Sequence, residues 1–97
     1  MTIIFDARSD IYTDDPIVNK NRIIVALETA QKTYEAYGWL YLRQVYLMLG
    51  LKEAALDINP LFGWDKNQTK DFEWTISRRT DKPDTVIEIE VNPKALS

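Results

Sequence analysis

Apolar residues recur with two different periods along this chain, near 3.6 in its first half and near 2 in its last third. After Pro16 they fall at Ile23, Leu27, Ala30, Tyr34 and Tyr37, in steps of four, three, four and three. Ile17, Ile24 and Ala26 widen that stripe, while Asn21, Glu28, Lys32 and Glu35 occupy the other face. Glu28 and Lys32 add a favourable i,i+4 pair. Asp15-Pro16 marks the start of this helix, because the residue before a proline avoids helical angles and proline suits the first helical position. Gly38 marks its end.

Beyond Gly38 the pattern shortens. Trp39-Leu40-Tyr41 is β-prone and reads as a strand or a turn. Leu42, Val45, Tyr46 and Leu49 then predict a second helix, stopped by Gly50. Leu51 to Ile58 supplies a further turn or two, with Ala54, Ala55 and Ile58 as the packing side. Asn59-Pro60 breaks it. Leu61-Phe62-Gly63-Trp64 reads as an apolar loop, followed by a polar turn from Asp65 to Thr69. In the last third Phe72, Trp74 and Ile76 alternate with Asp71, Glu73, Thr75 and Ser77. Ile87, Ile89 and Val91 then alternate with Glu88 and Glu90, which predicts a hairpin closed by Asn92-Pro93. At the other end Ile3-Ile4-Phe5 is a short β-prone run suited to a sheet edge, and Arg8 to Asp15 a polar loop, a candidate for mobility.

These elements predict one α+β domain over residues 1–97: a long N-terminal helix and one or two short helices on a small antiparallel sheet of two to four strands. The expected core is Ile24, Leu27, Tyr34, Leu42, Val45, Leu49, Trp64, Phe72, Trp74, Ile76, Ile87, Ile89 and Val91. Two strands alone are marginal, so a helix or a third strand must cover their apolar face. There is no internal repeat, low-complexity run or domain linker.

Composition narrows the chemistry. With no cysteine and no histidine, the chain lacks disulfides, thiolate nucleophiles, the usual neutral-pH base and the commonest metal ligand. Twelve basic and fifteen acidic residues are dispersed, giving a net charge of −3 that favours solubility over nucleic-acid affinity. The short apolar start has no basic region before it and no run reaches membrane-spanning length, so the expectation is a cytoplasmic protein without signal peptide or membrane partner. Eleven aromatic residues point to a core built on them.

Five constellations have simpler explanations than a functional one. Glu88 and Glu90, with Asp71 and Glu73 across the hairpin, form a set of carboxylates. An alternating wet face gives them the same environment, whereas acid–base catalysis needs different ones. Asp6, Asp10, Asp14 and Asp15 lack the glycine and the closing glutamate of a calcium loop, so capping and turn chemistry explain them better. The short helices around Leu42–Leu49 and Lys52–Ile58 offer only Arg43 and Lys52 to phosphate, too little for a helix-turn-helix. Trp64, Phe72 and Trp74 read as core rather than as a base-stacking platform. Packing on the chain's own sheet is favoured for the first-helix stripe, with a homodimer seam left open. No catalytic, cofactor-binding or metal-binding residue is assigned, and no cofactor is expected.

Tyr37-Gly38-Trp39, the segment Leu42-Arg43-Gln44-Val45-Tyr46-Leu47-Met48-Leu49-Gly50-Leu51, Phe62-Gly63-Trp64 and the closing hairpin resemble a group of small uncharacterised proteins. That group is encoded by phages and integrated elements of Gram-positive bacteria. The resemblance spans about residues 20 to 93 and rests on packing residues. Members often carry Asn-Asp where this chain has Arg43-Gln44, a departure that predicts weaker capping of the second helix. Many also carry a longer Gly/Asp-rich segment after the Gly-Trp. The group supplies no catalytic residue to carry over. What it implies is an accessory or structural protein of a mobile element.

The leading expectation is therefore a non-enzymatic protein-interaction or assembly module, with Leu47, Met48 and Leu61 as candidate exposed contacts. A nucleic-acid accessory role is the alternative. It requires Lys66, Lys70, Arg78, Arg79 and Lys82 to gather near the hairpin tip. A third is an Asp/Glu-dependent enzyme, with or without Mg²⁺.

Overall fold

The computed structural model describes residues 1–77 and 83–97 and has the predicted α+β class. In chain order the elements are β1 (Thr2–Phe5), α1 (Pro16–Tyr37), β2 (Trp39–Tyr41), α2 (Leu42–Met48), α3 (Lys52–Leu56), β3 (Phe62–Asp65), β4 (Trp74–Ser77), β5 (Ile87–Val91) and β6 (Lys94–Ala95). The strands form two antiparallel sheets, β1-β5-β4 and β2-β3-β6, rather than the single sheet of two to four strands expected. Two short segments account for the difference. Trp39–Tyr41 proves to be a strand, and the Leu61–Trp64 stretch, expected as a loop, contributes β3 opposite it with Leu40 facing Trp64.

Helix α1 begins and ends where the sequence predicts. The Asp15 carboxylate accepts from the backbone N–H groups of Ile17 and Val18, at 2.9 and 3.3 Å, and satisfies two donors that the first turn leaves free. Gly38 adopts φ 79°, a left-handed turn that suits glycine, and its N–H donates to the Tyr34 carbonyl. Helix α2 is capped despite the Arg43-Gln44 departure. Gln44 Oε1 reaches back to the Tyr41 N–H at 2.8 Å, and Arg43 donates to the Ala55 and Ile58 carbonyls at the end of α3.

One continuous buried cluster joins both sheets and the helices. It takes Ile3 and Phe5 from β1, and Ile23, Ala26, Leu27, Ala30 and Tyr34 from α1. Leu40, Trp64, Ile87, Ile89 and Val91 come from the inner faces of the sheets, and Leu42, Val45 and Leu49 from α2 and its end. Ile24, Trp74 and Ile76, expected inside, are only partly covered. Ile24 is a step off the buried stripe, and β4 is an edge strand, so its side chains have cover on one flank only. Of the α1 stripe, Ile23, Ala26, Leu27, Ala30 and Tyr34 are buried within the chain's own core, whereas Ile17 and Tyr37 at its two ends are exposed.

Polar residues close the joints. Asn92 accepts from Trp64 Nε1 and from the Glu73 N–H and donates to the Asp71 carbonyl, tying the end of β5 to β3 and to the run into β4. Trp64 also meets Phe72 edge-on at 4.6 Å. Asn19, fully buried, accepts from the Thr13 N–H and hydroxyl and donates to the Thr13 and Thr85 carbonyls. The loop before α1 is held as well: Ser9 donates to the Leu49 carbonyl at 2.6 Å.

Candidate functional site: two exposed apolar surfaces

Among the described residues the carboxylates do not gather into a cluster of three or more. Glu88 and Glu90 stand on the outer face of β5 opposite Ile4 and Thr2 of β1 and Ser77 and Thr75 of β4. Glu90 accepts from Thr2 and lies 3.6 Å from the Met1 amino group. Asp71 and Glu73 precede β4, where their backbone is held by Asn92, and Glu73 lines a shallow pocket together with Glu90 on the exposed side of β4 and β5. In the loop before α1, Asp6 binds Arg8, Asp10 pairs with Lys52 at 3.0 Å and Asp15 caps the helix. Partial burial alone would raise the Asp6 carboxyl; the Arg8 side chain, backbone N–H and charge outweigh it and hold Asp6 below the usual carboxylate range. Glu53 and Asp57 do share a cleft of about 330 Å³ with Arg8, but both are exposed, one helical turn apart in the same solvated environment. Among the described residues no group of three or more acidic side chains could hold a metal ion.

Of the five basic residues named for nucleic acid, two lie among the described residues. Lys66 donates to the Glu35 carbonyl at 3.2 Å and sits 6.0 Å from the Tyr34 ring. Lys70 is exposed in the turn before β4, and Arg78, Arg79 and Lys82 lie outside the described residues. The two cations considered for a helix-turn-helix are committed elsewhere, Arg43 to α3 carbonyls and Lys52 to Asp10.

Two exposed apolar features remain. The first is a row of three aromatic rings where α1 runs into β2. Tyr37, the last residue of the apolar stripe on α1, is 69% exposed. Trp39 and Tyr41 point outward from β2, opposite Asp65 and Gly63, and are 42% and 38% exposed. The rings touch in sequence, with centroids 6.1 Å and then 5.3 Å apart and planes tilted by 43° and 55°. They form a ridged apolar surface with three hydroxyl or indole donors at hand.

The second is an open groove of about 540 Å³ beside the N-terminal half of α1, lined by Ile11, Val18, Arg22, Val25, Ala26 and Met48 among others. Met48, expected as exposed, forms part of its wall and packs partly against the core. Leu47 and Leu61 are exposed as expected.

The aromatic row is hidden in the sequence because its three rings belong to two elements of different period, the end of α1 and the short strand β2. The available signal was the spacing of two at 37, 39 and 41, running straight across Gly38. Among the described residues no helix is long and apolar enough to cross a membrane. No family model, curated protein or solved structure matches the chain.

Proposed function

We propose that this chain is a non-enzymatic protein-interaction module of the cytoplasm, and that the Tyr37–Trp39–Tyr41 row is its principal contact surface. The observation that carries this reading is the exposure of three mutually packed aromatic rings on a framework fixed by the C-terminal turn of α1 and by the β2–β3 pairing. Tyrosine and tryptophan dominate the energetics of protein interfaces because they bury large area with few rotatable bonds. Leaving them in water has no folding benefit, since the core is complete beneath them. The resemblance to small proteins of phages and integrated elements supports the same reading and suggests an accessory or structural role in a mobile element.

A double variant, Trp39→Ser with Tyr41→Ser, tests it. Both side chains stand on the outer face of β2, outside the buried core cluster, so the variant is expected to fold. Wild-type protein immobilised in nuclease-treated lysate of the source organism should retain a protein partner, and the double variant should bind it at least tenfold more weakly. Equal retention by both proteins would reject the aromatic row. Loss of every companion on nuclease treatment would favour the nucleic-acid alternative.

A further inference from the structure

The groove beside α1 is a second surface, distinct from the aromatic row. Val18, Arg22, Val25 and Thr29 follow one another on the same flank of the helix, at steps of four, three and four. Ile11 and Met48 form the opposite wall, and Ala26 contributes to the lining. From Val18 to Thr29 the groove runs about 16 Å, which is three turns of an α-helix. Its length and open side suit a rod laid along it better than a compact ligand enclosed within it. Val25 stands 63% exposed at its edge, and Met48 supplies the adaptable side chain common in helix-binding grooves.

Charge specifies the occupant further. Arg22 is the one charged residue among those lining the groove. Its Nη1 donates to the Ile11 carbonyl at 2.8 Å, and it makes no ion pair among the described residues. The guanidinium is thereby oriented at the groove by one hydrogen bond while the rest of its fork keeps donor capacity for a carboxylate. Because Arg22 lies between Val18 and Val25 along the helix, an incoming acidic residue would have to sit beside apolar residues on the partner.

We infer that this groove receives an amphipathic helix of a partner protein, one with an apolar stripe at i, i+3/i+4 and i+7 and an Asp or Glu on the flank of that stripe. The inference extends the interaction reading above to a second site. Val25 and Tyr37 are twelve residues apart on α1, about 18 Å along its axis. The two surfaces are therefore separate along the helix.

Two synthetic helical peptides of fifteen residues test the groove directly. Both carry the same leucine stripe; one has glutamate on its flank and the other lysine at that position. Titration into the ¹⁵N,¹³C-labelled full chain should shift the signals of Val18, Val25, Thr29 and the Met48 methyl group, with the glutamate peptide binding at least tenfold more tightly. Arg22→Gln should reduce that preference to less than threefold, and Val25→Asp should abolish binding of both peptides. Thermal melts check that these exposed-site variants remain folded. The Trp39→Ser/Tyr41→Ser variant should bind the glutamate peptide like the wild type, so that failure of the aromatic-row reading and failure of this one are separately visible. Equal affinity for the two peptides, shifts centred on Tyr37, Trp39 and Tyr41, or no binding at millimolar peptide would each overturn the inference.

Discussion

Asn19 illustrates how much a single side chain can carry here. It sits on the buried stripe of α1, four residues before Ile23, and is itself fully buried. Its amide satisfies the Thr13 backbone on both sides and reaches the Thr85 carbonyl just before β5. Replacing it with alanine leaves the Thr13 N–H and the Thr85 carbonyl without these partners. Asn19→Ala should therefore cost about 2–4 kcal/mol, more than a surface substitution and comparable to a core cavity. Urea unfolding followed by tryptophan fluorescence measures it, and a loss below about 1 kcal/mol would mean that water replaces the amide. Hydrophobic patterning cannot flag such a residue, because it scores asparagine as solvent-facing wherever it falls. The 3.6-residue period did contain the signal, since positions 19, 23, 27, 30 and 34 lie on one face.

At the scale of elements, what the sequence made legible tracks length. Helix α1 was readable from cap to stop because its stripe repeats over several turns and its ends carry local chemistry in Asp15, Pro16 and Gly38. The β4–β5 hairpin was readable from alternation. Strands β2 and β3 were less so, since three or four residues give too few repeats to define a period, and Gly63 looked like a loop residue. Its structural role is close approach: a Cβ built there would stand 2.2 Å from the Leu40 carbonyl oxygen and 2.8 Å from the Tyr41 Cα. Gly63→Ala must push β2 away from β3 and disturb Leu40 and Trp64 beneath them. The expected loss is about 2–4 kcal/mol, of the size seen when a buried contact is forced apart. A change below about 1 kcal/mol in denaturant unfolding would show that the two strands separate freely. Because β2 carries Trp39 and Tyr41, the same substitution should also weaken partner binding by the aromatic row.

Considered whole, the molecule responds to alkali through two tyrosines. Burial raises the Tyr34 phenol, and the negative charges of Asp71 and Asp65 raise it further. Its hydroxyl approaches Thr69 without reaching hydrogen-bond geometry and has no partner. Burial also raises Tyr46, against a smaller opposing effect of Arg8. The ordinary phenol value is 10.0. Below that pH both folded and unfolded chains keep these protons, and the stability is fully present. Above it the unfolded chain gives them up while the folded one retains them, so stability falls as pH rises towards the raised folded values. The slope cannot exceed about 1.4 kcal/mol per pH unit for each tyrosine. Melting curves recorded from neutral pH to mild alkali should show the decline, and Tyr34→Phe should make it shallower without lowering stability at neutral pH. A flat profile above pH 10 would show that neither phenol is shielded as described.

The order of strands also determines when this protein can exist at all. The middle position of the first sheet is filled by β5, residues 87–91, between β1 from the opposite end of the chain and β4. The second sheet acquires its last strand later still, at Lys94–Ala95. A growing polypeptide has nothing to pair β1 with until β5 has left the ribosome, whereas α1 can meet β2 and α2 as soon as they emerge. The first sheet therefore closes only after β5 is made, well after the helices have begun to pack. Any message that stops short of β5 yields a chain with an unpaired first strand, a natural target for chaperones and proteases.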